Sequence, residues 1–219
     1  KRFKYFLAEK HSDLYEARNL AIKKISGDFI AFLDTDDVWF KDKLSKQIQL
    51  FSDETVGLVY GNYWRYNKLS FFKKNKLVTY KKLPSGKITD QLLKEYFIGI
   101  LTIIVRKKFI NLEKDMFDTR FDMISDMDFV LKFSKNHNFD CVQEPIAMYR
   151  LHENQLQNKN LDKQSEHFCK WYEKIRLSKE FGANEKLLSI KNRCKFFKIL
   201  KYINEKFYLK SIKEIIFYP

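Results

Sequence analysis

Apolar residues recur along this chain with two different periods, and the changes between them mark its elements. Phe29 to Leu33 is an unbroken apolar run, which predicts a short strand buried on both faces of a parallel sheet. Ahead of it, Leu14, Ala17, Ala21 and Ile25 recur at helical spacing. Asp13-Leu14-Tyr15-Glu16 has the pattern of a capping box opening that helix, and Gly27 predicts a left-handed end. Lys4 to Ala8 reads as a further short strand. Lys41 to Phe51 predicts a second amphipathic helix with Leu44, Ile48 and Phe51 on one face, and Gly57 to Tyr60 another buried strand.

From Tyr66 to Lys82 the chain is basic and aromatic without a clear period, as in an exposed excursion or hairpin, and Pro84-Ser85-Gly86 is a turn. Thr89 to Phe97 reads as a helix, and Leu101 to Val105 as a strand of β-branched residues. Ser125 is placed to cap a helix on which Asp126, Val130 and Phe133 share a face. Pro145 precedes a strand, Ile146 to Arg150, that runs into Tyr149-Arg150-Leu151-His152. Residues 160–219 are Lys-rich and helical, with Phe196, Leu200, Ile203 and Phe207 on one face and Ile212, Ile215 and Ile216 prolonging it. Such a stripe either packs on a neighbouring domain or, given its Lys flanks, lies on anionic lipid. The alternation of strands and helices predicts an α/β chain with a mostly parallel sheet flanked by helices and a helical C-terminal extension.

Composition narrows the picture. With 219 residues, 45% hydrophobic and 32% charged, the chain is globular. A formal net charge of +14 suits nucleic acid, an anionic membrane or a polyphosphate ligand. The excess is mostly Lys, spread evenly, and poor in the Arg forks that read bases, so a membrane face is favoured and nucleic acid is not expected. The three cysteines, Cys141, Cys169 and Cys194, are odd in number and far apart, which argues against a disulfide framework and a zinc site and for a reducing compartment. No apolar run approaches the ~18 residues of a membrane span, and the first residues lack a signal-peptide core.

The candidate chemistry lies where the central strand ends, in Asp34, Asp36 and Asp37. Ligands of open α/β sheets bind at the carboxyl ends of strands. Crowded carboxylates raise one another's pKa unless a cation joins them, and oxygen ligands suit Mg²⁺ or Mn²⁺. A solvated Asp-rich turn that caps the next helix is the other reading. Asp126, on the inward face of its helix, is either a base or an ordinary capping acid. Arg150 and His152 at a strand end can reach an anion.

The order of these features resembles family 2 glycosyltransferases of the GT-A, Rossmann-like fold. Ala17-Arg18-Asn19 followed by Gly27-Asp28-Phe29-Ile30-Ala31-Phe32-Leu33-Asp34-Thr35-Asp36-Asp37-Val38-Trp39 resembles their "ARN … GDyIxFLDxDDxW" block. Phe117-Asp118-Thr119-Arg120-Phe121 with Ser125-Asp126-Met127-Asp128-Phe129-Val130-Leu131-Lys132 is similar to "FDExF … EDxDLxLR", and Tyr149-Arg150-Leu151-His152 to "YRxH". The resemblance implies an inverting, metal-dependent transfer of a sugar from a nucleotide diphosphate donor, often UDP-linked, to an acceptor hydroxyl. It also implies a glycan or lipid-linked acceptor in surface polysaccharide synthesis, in the cytoplasm or on the inner face of the plasma membrane. By position Asp36 is the implied metal ligand and Asp34 contacts the ribose and helps with the metal. Asp37 completes the cofactor cluster, Asp126 is the implied base, Arg18 lies near the nucleotide, and Arg150 and His152 lie near the diphosphate.

Three departures accompany the match. Asp13 stands where the family often has Gly, Ser125 replaces an acid before the base, and the family's first two strands have no counterpart after Lys1. The expectation is a partial GT-A domain over residues 1–155 and a helical basic extension over 156–219, with roughly 60 to 90 residues missing upstream. Two other classes compete: a basic module that binds anionic lipid or nucleic acid without catalysis, and a metal-dependent phosphoryl-transfer enzyme. The first would not need Asp34, Asp36 and Asp126 together. The second lacks a Gly-rich phosphate loop.

Overall fold

One long strand, β3 (Val56–Asn67), carries the sheet in the computed structural model, which describes residues 3–8, 12–67, 75–121, 123–152, 161–207 and 210. It pairs parallel to β6 (Asn138–Leu151) along its whole length, from Val56 opposite Asn138 to Asn67 opposite Leu151. The remaining strands are short and antiparallel: β1 (Phe29–Ala31) and β5 (Ile104–Arg106) on one side, β2 (Val38–Trp39) on the other. β4 (Asn75–Leu77) folds back on β3 as a hairpin, as Tyr66 to Lys82 suggested, although residues 68–74 lie outside the described residues. The order is β1-β5-β3-β6-β2. The sheet is therefore mixed, with a single parallel pair among the described strands, and not mostly parallel. The long β3 and β6 run parallel, whereas β1, β2, β4 and β5 are antiparallel pieces of two or three residues.

Pro145 sits inside β6, where its missing N–H should break a ladder. The register slips between Gly61 and Tyr63, which face Val142 and Ala147, so Pro145 falls in a bulge opposite Asn62. Gly86, at φ +83°, forms the turn whose backbone bonds Phe139 in both directions, at 2.7 and 2.9 Å.

The apolar run after Gly27 forms only three residues of strand. Ile30 and Phe32 face the main core, while Phe29 and Ala31 pack on a second cluster with Phe51, Val59 and Ile104. Leu33 is 48% exposed, so burial on both faces stops before the acids begin. Helix α1 (Leu14–Ile22) is present, but its inward face is Tyr15, Arg18, Asn19 and Ile22. Leu14, Ala17 and Ala21 point outward. A face built mainly from three aromatic or polar residues that find partners inside is invisible to a hydrophobic count. Asp13 sits at the N-cap with extended backbone but makes no side-chain cap bond, and the helix ends at Ile22, short of Gly27. Residues 3–8 are exposed and irregular, not a strand.

Helix α2 (Lys43–Gln49), continued by a 3-10 turn over Leu50–Ser52, also turns the unexpected way. Leu44 and Ile48 are exposed, whereas Lys43 and Gln47 are fully buried and Phe51 is in the core. Gln47 explains part of this, because its amide donates to the carbonyls of Val59 at 3.1 Å and Thr102 at 2.7 Å. The next helix, α3 (Thr89–Lys94), stops three residues earlier than expected, and Ile100–Thr102 is a 3-10 turn ahead of β5. Helix α4 (Ser125–Asn136) begins on Ser125 itself, with Ile124 in the cap position.

The C-terminal helices α5 (Leu161–Arg176) and α6 (Leu187–Asn204) join the same core. Trp171 is 1% exposed and its indole N–H donates to Asp128 of α4 at 2.8 Å. Cys169 and Cys194 form a disulfide between α5 and α6, which corrects the expectation of unpaired thiols. Twenty-five residues separate them in sequence, but the two packed helices bring their Cα atoms to 5.3 Å. Cys141 is the free thiol, pushed up to about 11 by burial. The residue 155/156 boundary and Ile212, Ile215 and Ile216 lie outside the described residues.

Candidate active site

The turn after β1 gathers the three acids. The Asp37 N–H donates to the Asp34 carbonyl at 3.0 Å, and one carboxylate oxygen from each of Asp34, Asp36 and Asp37 lies within 4.8 Å of the others. Asp34 and Asp36 are partly exposed; Asp37 is 7% exposed. Burial pushes the Asp37 carboxyl up to about 7, opposed by the Arg150 N–H at 3.3 Å and reinforced by the charges of Asp36 and Asp34. Two partly exposed oxygens beside a buried, strained acid form an oxygen-rich set that a hard divalent cation would relieve, so the residues fit Mg²⁺ or Mn²⁺.

Basic side chains, two arginines and a histidine, frame the cluster. Arg18 Nη2 bonds Asp34 at 2.5 Å. His152 Nε2 lies 2.9 Å from Asp36 Oδ2. Arg150 donates from its guanidinium to the backbone carbonyls of Asp36 and, at 3.3 Å, Thr35. It holds the acid turn against the end of β6. Behind the turn, Trp39 anchors to the Leu101 carbonyl through its indole N–H at 2.7 Å, and the Lys43 ammonium stacks 4.2 Å from its ring.

Asp126 belongs to the same constellation through α1. Tyr15 donates its hydroxyl to Asp126 Oδ1 at 2.9 Å, and the Arg18 guanidinium lies 5.1 Å from the Tyr15 ring centre. One helical turn thus carries a contact to Asp126 and another to the acid cluster. Burial raises the Asp126 carboxyl above the usual carboxylate range, opposed by the Tyr15 hydroxyl, the Met127 N–H and the Arg18 charge. The helix is seated by Asn19, whose amide bonds both the N–H and the carbonyl of Phe117, at 2.9 and 2.8 Å.

Sequence reasoning missed a set of tyrosines. Tyr63 and Tyr149 are both pushed up to about 12 by burial, and Tyr63 feels the charges of Asp126 and Asp37. Tyr63 fits because Gly99 has no side chain: a Cβ there would lie 2.8 Å from the ring. The hydroxyl of Tyr96 is enclosed without a hydrogen-bond partner among the described residues and within electrostatic reach of Asp126, Tyr15 and Tyr63. For Tyr15 the signal was available, since it precedes Arg18 by three residues and must share its face. An open groove of about 790 Å³ lies elsewhere, between Phe109, Asp128, Lys132, His137 and Lys174, and none of the candidate acids borders it except through the shared helix α4.

Comparison with known proteins fits this picture. A 40% identical match over 96 residues covers 43% of this chain and 35% of the UDP-Glc:alpha-D-GlcNAc-diphosphoundecaprenol beta-1,3-glucosyltransferase WfgD of Escherichia coli. A second, 28% identical over 149 residues, covers 68% of the chain and 56% of the putative teichuronic acid biosynthesis glycosyltransferase TuaG of Bacillus subtilis. The chain thus spans between a third and somewhat over half of these relatives' length. The crystal structure of S. aureus TarS 1-349 superposes with a TM-score of 0.60 at 15% identity, covering 93% of this chain and 58% of that one. The same protein in complex with UDP-GlcNAc gives 0.57 at 17% identity, over 80% and 51%. These superpositions show the GT-A fold. The model of glycosyl transferase family 2 matches residues 1–113, more than half of the chain, and it is to this family that the chain belongs.

Proposed function

We propose that the chain carries the chemistry of an inverting glycosyltransferase that moves a sugar from a nucleotide diphosphate donor, UDP-linked, to a hydroxyl of a lipid-linked glycan acceptor. The observation that carries this reading is the pairing on α1: Tyr15 on Asp126 and, one turn later, Arg18 on Asp34. It makes the acid cluster and the inward carboxylate parts of one site. The donor and acceptor classes follow the relatives, one named for UDP-Glc and a diphosphoundecaprenol-linked GlcNAc, the structural neighbour solved with UDP-GlcNAc.

In this reading Asp34 meets the ribose, while Asp36 with Asp34 would hold a divalent cation that neutralises charge on the leaving diphosphate. Arg18 is displaced from, or shared with, the nucleotide at Asp34. Asp37, buried and bonded by the Arg150 N–H, keeps the turn in place. His152 and Arg150 close the diphosphate side. Asp126 takes the proton of the acceptor hydroxyl as that oxygen bonds the anomeric carbon. The bond from that carbon to the diphosphate oxygen breaks on the opposite face, its electron pair leaves with the nucleoside diphosphate, and the configuration inverts. A raised carboxyl pKa makes the ionised Asp126 a stronger base than a solvent-exposed carboxylate.

Residues 1–155 serve as the transferase domain and 156–219 as its basic helical extension. The site of action is the cytoplasmic face of the plasma membrane, where a lipid-linked acceptor meets a nucleotide donor. No helix among the described residues is long and apolar enough to cross a membrane.

The test is transfer from UDP-glucose to a GlcNAc-diphosphate on a short alkyl chain, with Mn²⁺, and product configuration read by NMR. Asp126→Asn should keep UDP binding and lose on the order of 10²–10⁴-fold in turnover. Asp36→Ala should lose metal-dependent UDP binding. An Asp126→Asn protein with normal turnover, or a product of retained configuration, overturns the reading.

A further inference from the structure

The face of α6 turned away from the protein is apolar, which is the reverse of what a surface helix needs. Leu187, Ile190 and Cys194 form its packed side, each under 10% exposed, and Phe197 stacks on Phe168 at 5.2 Å. On the opposite side, Leu188 and Phe196 are each 55% exposed and Ile203 is 46% exposed, with Ile199 and Leu200 half-buried between them. At 100° per residue, Leu188, Phe196, Ile199 and Ile203 fall within one 80° sector opposite the packed side, with Asn192 the one polar residue among them. Of the stripe foreseen from sequence, Phe196 and Ile203 face outward, Leu200 is half-buried, Phe207 is exposed beyond the end of the helix, and Ile212, Ile215 and Ile216 lie outside the described residues.

Its charges are as one-sided as its hydrophobicity. Helix α6 has Lys191, Arg193, Lys195, Lys198 and Lys201 and no carboxylate at all. Lys191, Lys195 and Lys198 lie along one flank of the apolar sector and Arg193 borders the other. A protein partner for such a row would need its own acidic rim and a matching groove. An anionic bilayer supplies both halves at once: headgroup phosphates for the Lys flanks, and acyl chains for Phe196 and Ile203.

We infer that the outward face of α6 is a docking surface for an anionic membrane, on which the helix lies parallel to the bilayer plane with Leu188, Phe196, Ile199 and Ile203 inserted. The inference is independent of the transferase chemistry. The disulfide from Cys194 to Cys169 fastens the packed side of α6 to α5, so the helix can present this face without leaving the core.

Flotation of the full chain with vesicles of phosphatidylcholine containing 30% phosphatidylglycerol, against phosphatidylcholine alone, tests it. The expected result is binding to the anionic vesicles at least tenfold tighter, much weakened by 0.5 M salt. Phe196→Glu/Ile203→Glu should abolish binding with no loss of thermal stability, because both side chains are outside the core. Lys191→Gln/Lys195→Gln/Lys198→Gln should weaken anionic binding by about a hundredfold. Equal partition to both vesicle types, or undiminished binding by the Phe196→Glu/Ile203→Glu protein, overturns the inference. So does a dimer in sedimentation equilibrium that the same double substitution dissociates while vesicle binding is absent, since the face would then belong to a second copy.

Discussion

The hydroxyl of Tyr15 and the carboxylate of Asp126, 111 residues apart in sequence, meet at 2.9 Å. The phenol donates, so it stabilises the ionised acid and opposes the upward push of burial. It also fixes which carboxylate oxygen remains for a substrate. Tyr15→Phe keeps the ring on Phe117, 5.2 Å away, and removes only the donor. With the base role granted, the acid limb of the pH–turnover profile should move to higher pH, because a carboxyl that binds its proton more tightly must be deprotonated at higher pH. Turnover near neutrality should fall roughly tenfold with the donor KM unchanged. An unmoved limb in an enzyme that Asp126→Asn inactivates would reduce Tyr15 to packing.

Lys43 gives a stability prediction with the opposite sign of slope. It is fully buried, its ammonium has no hydrogen-bond partner among the described residues, and burial alone lowers its pKa to about 7. The unfolded chain holds the proton up to about pH 10. Between about pH 7 and 10 the unfolded state therefore binds more protons, and stability rises with pH. Lys43→Met should remove that rise and stabilise the protein at pH 7 by about 1–3 kcal/mol, the stacking on Trp39 offsetting part of the gain. Urea unfolding across this range reads both effects.

Asp128 ties α4 to α5. It is 2% exposed, accepts from Trp171, and pairs with Lys132 and, at 3.8 Å, Lys174. Asp128→Ala orphans a buried indole N–H and should cost about 2–4 kcal/mol in denaturant unfolding. Asp128→Asn, which can still accept from the indole, should cost less. Equal losses would show that the charge, not the Trp171 bond, is what matters.

Thiol titration under denaturing conditions should find one reactive cysteine per chain before reduction, Cys141, and three after it. Three before reduction would show that Cys169 and Cys194 are held as thiols.

The acid cluster was legible because a strand end and three carboxylates are adjacent in sequence, and local spacing preserves that adjacency. The parallel core pair of β3 with β6 was half legible: each strand was visible, but the partners were not. What failed were helix faces. On α1 and α2 the buried positions include Arg18, Asn19, Lys43 and Gln47, which are polar by type and, apart from the Lys43 ammonium and the Gln47 Oε1, which have no hydrogen-bond partner among the described residues, are satisfied only by distant chain. The Leu44 and Ile48 pair on α2 obeyed helical period and still faced solvent. Periodicity finds a stripe, but it cannot say which of two faces has a partner, and the same limit left the direction of the α6 stripe open until the packing was known.

Asn19 carries a consequence of its own. Its amide imitates a peptide group, offering donor and acceptor side by side to the backbone of Phe117. Aspartate could accept there but not donate, leucine could do neither, and glutamine would arrive one carbon too far out. The segment that leads into Asp126 is thus locked to the helix that holds Arg18 by a key with few workable copies. A substitution at this one position should therefore loosen the helix that holds Arg18 and the segment that leads into Asp126 together.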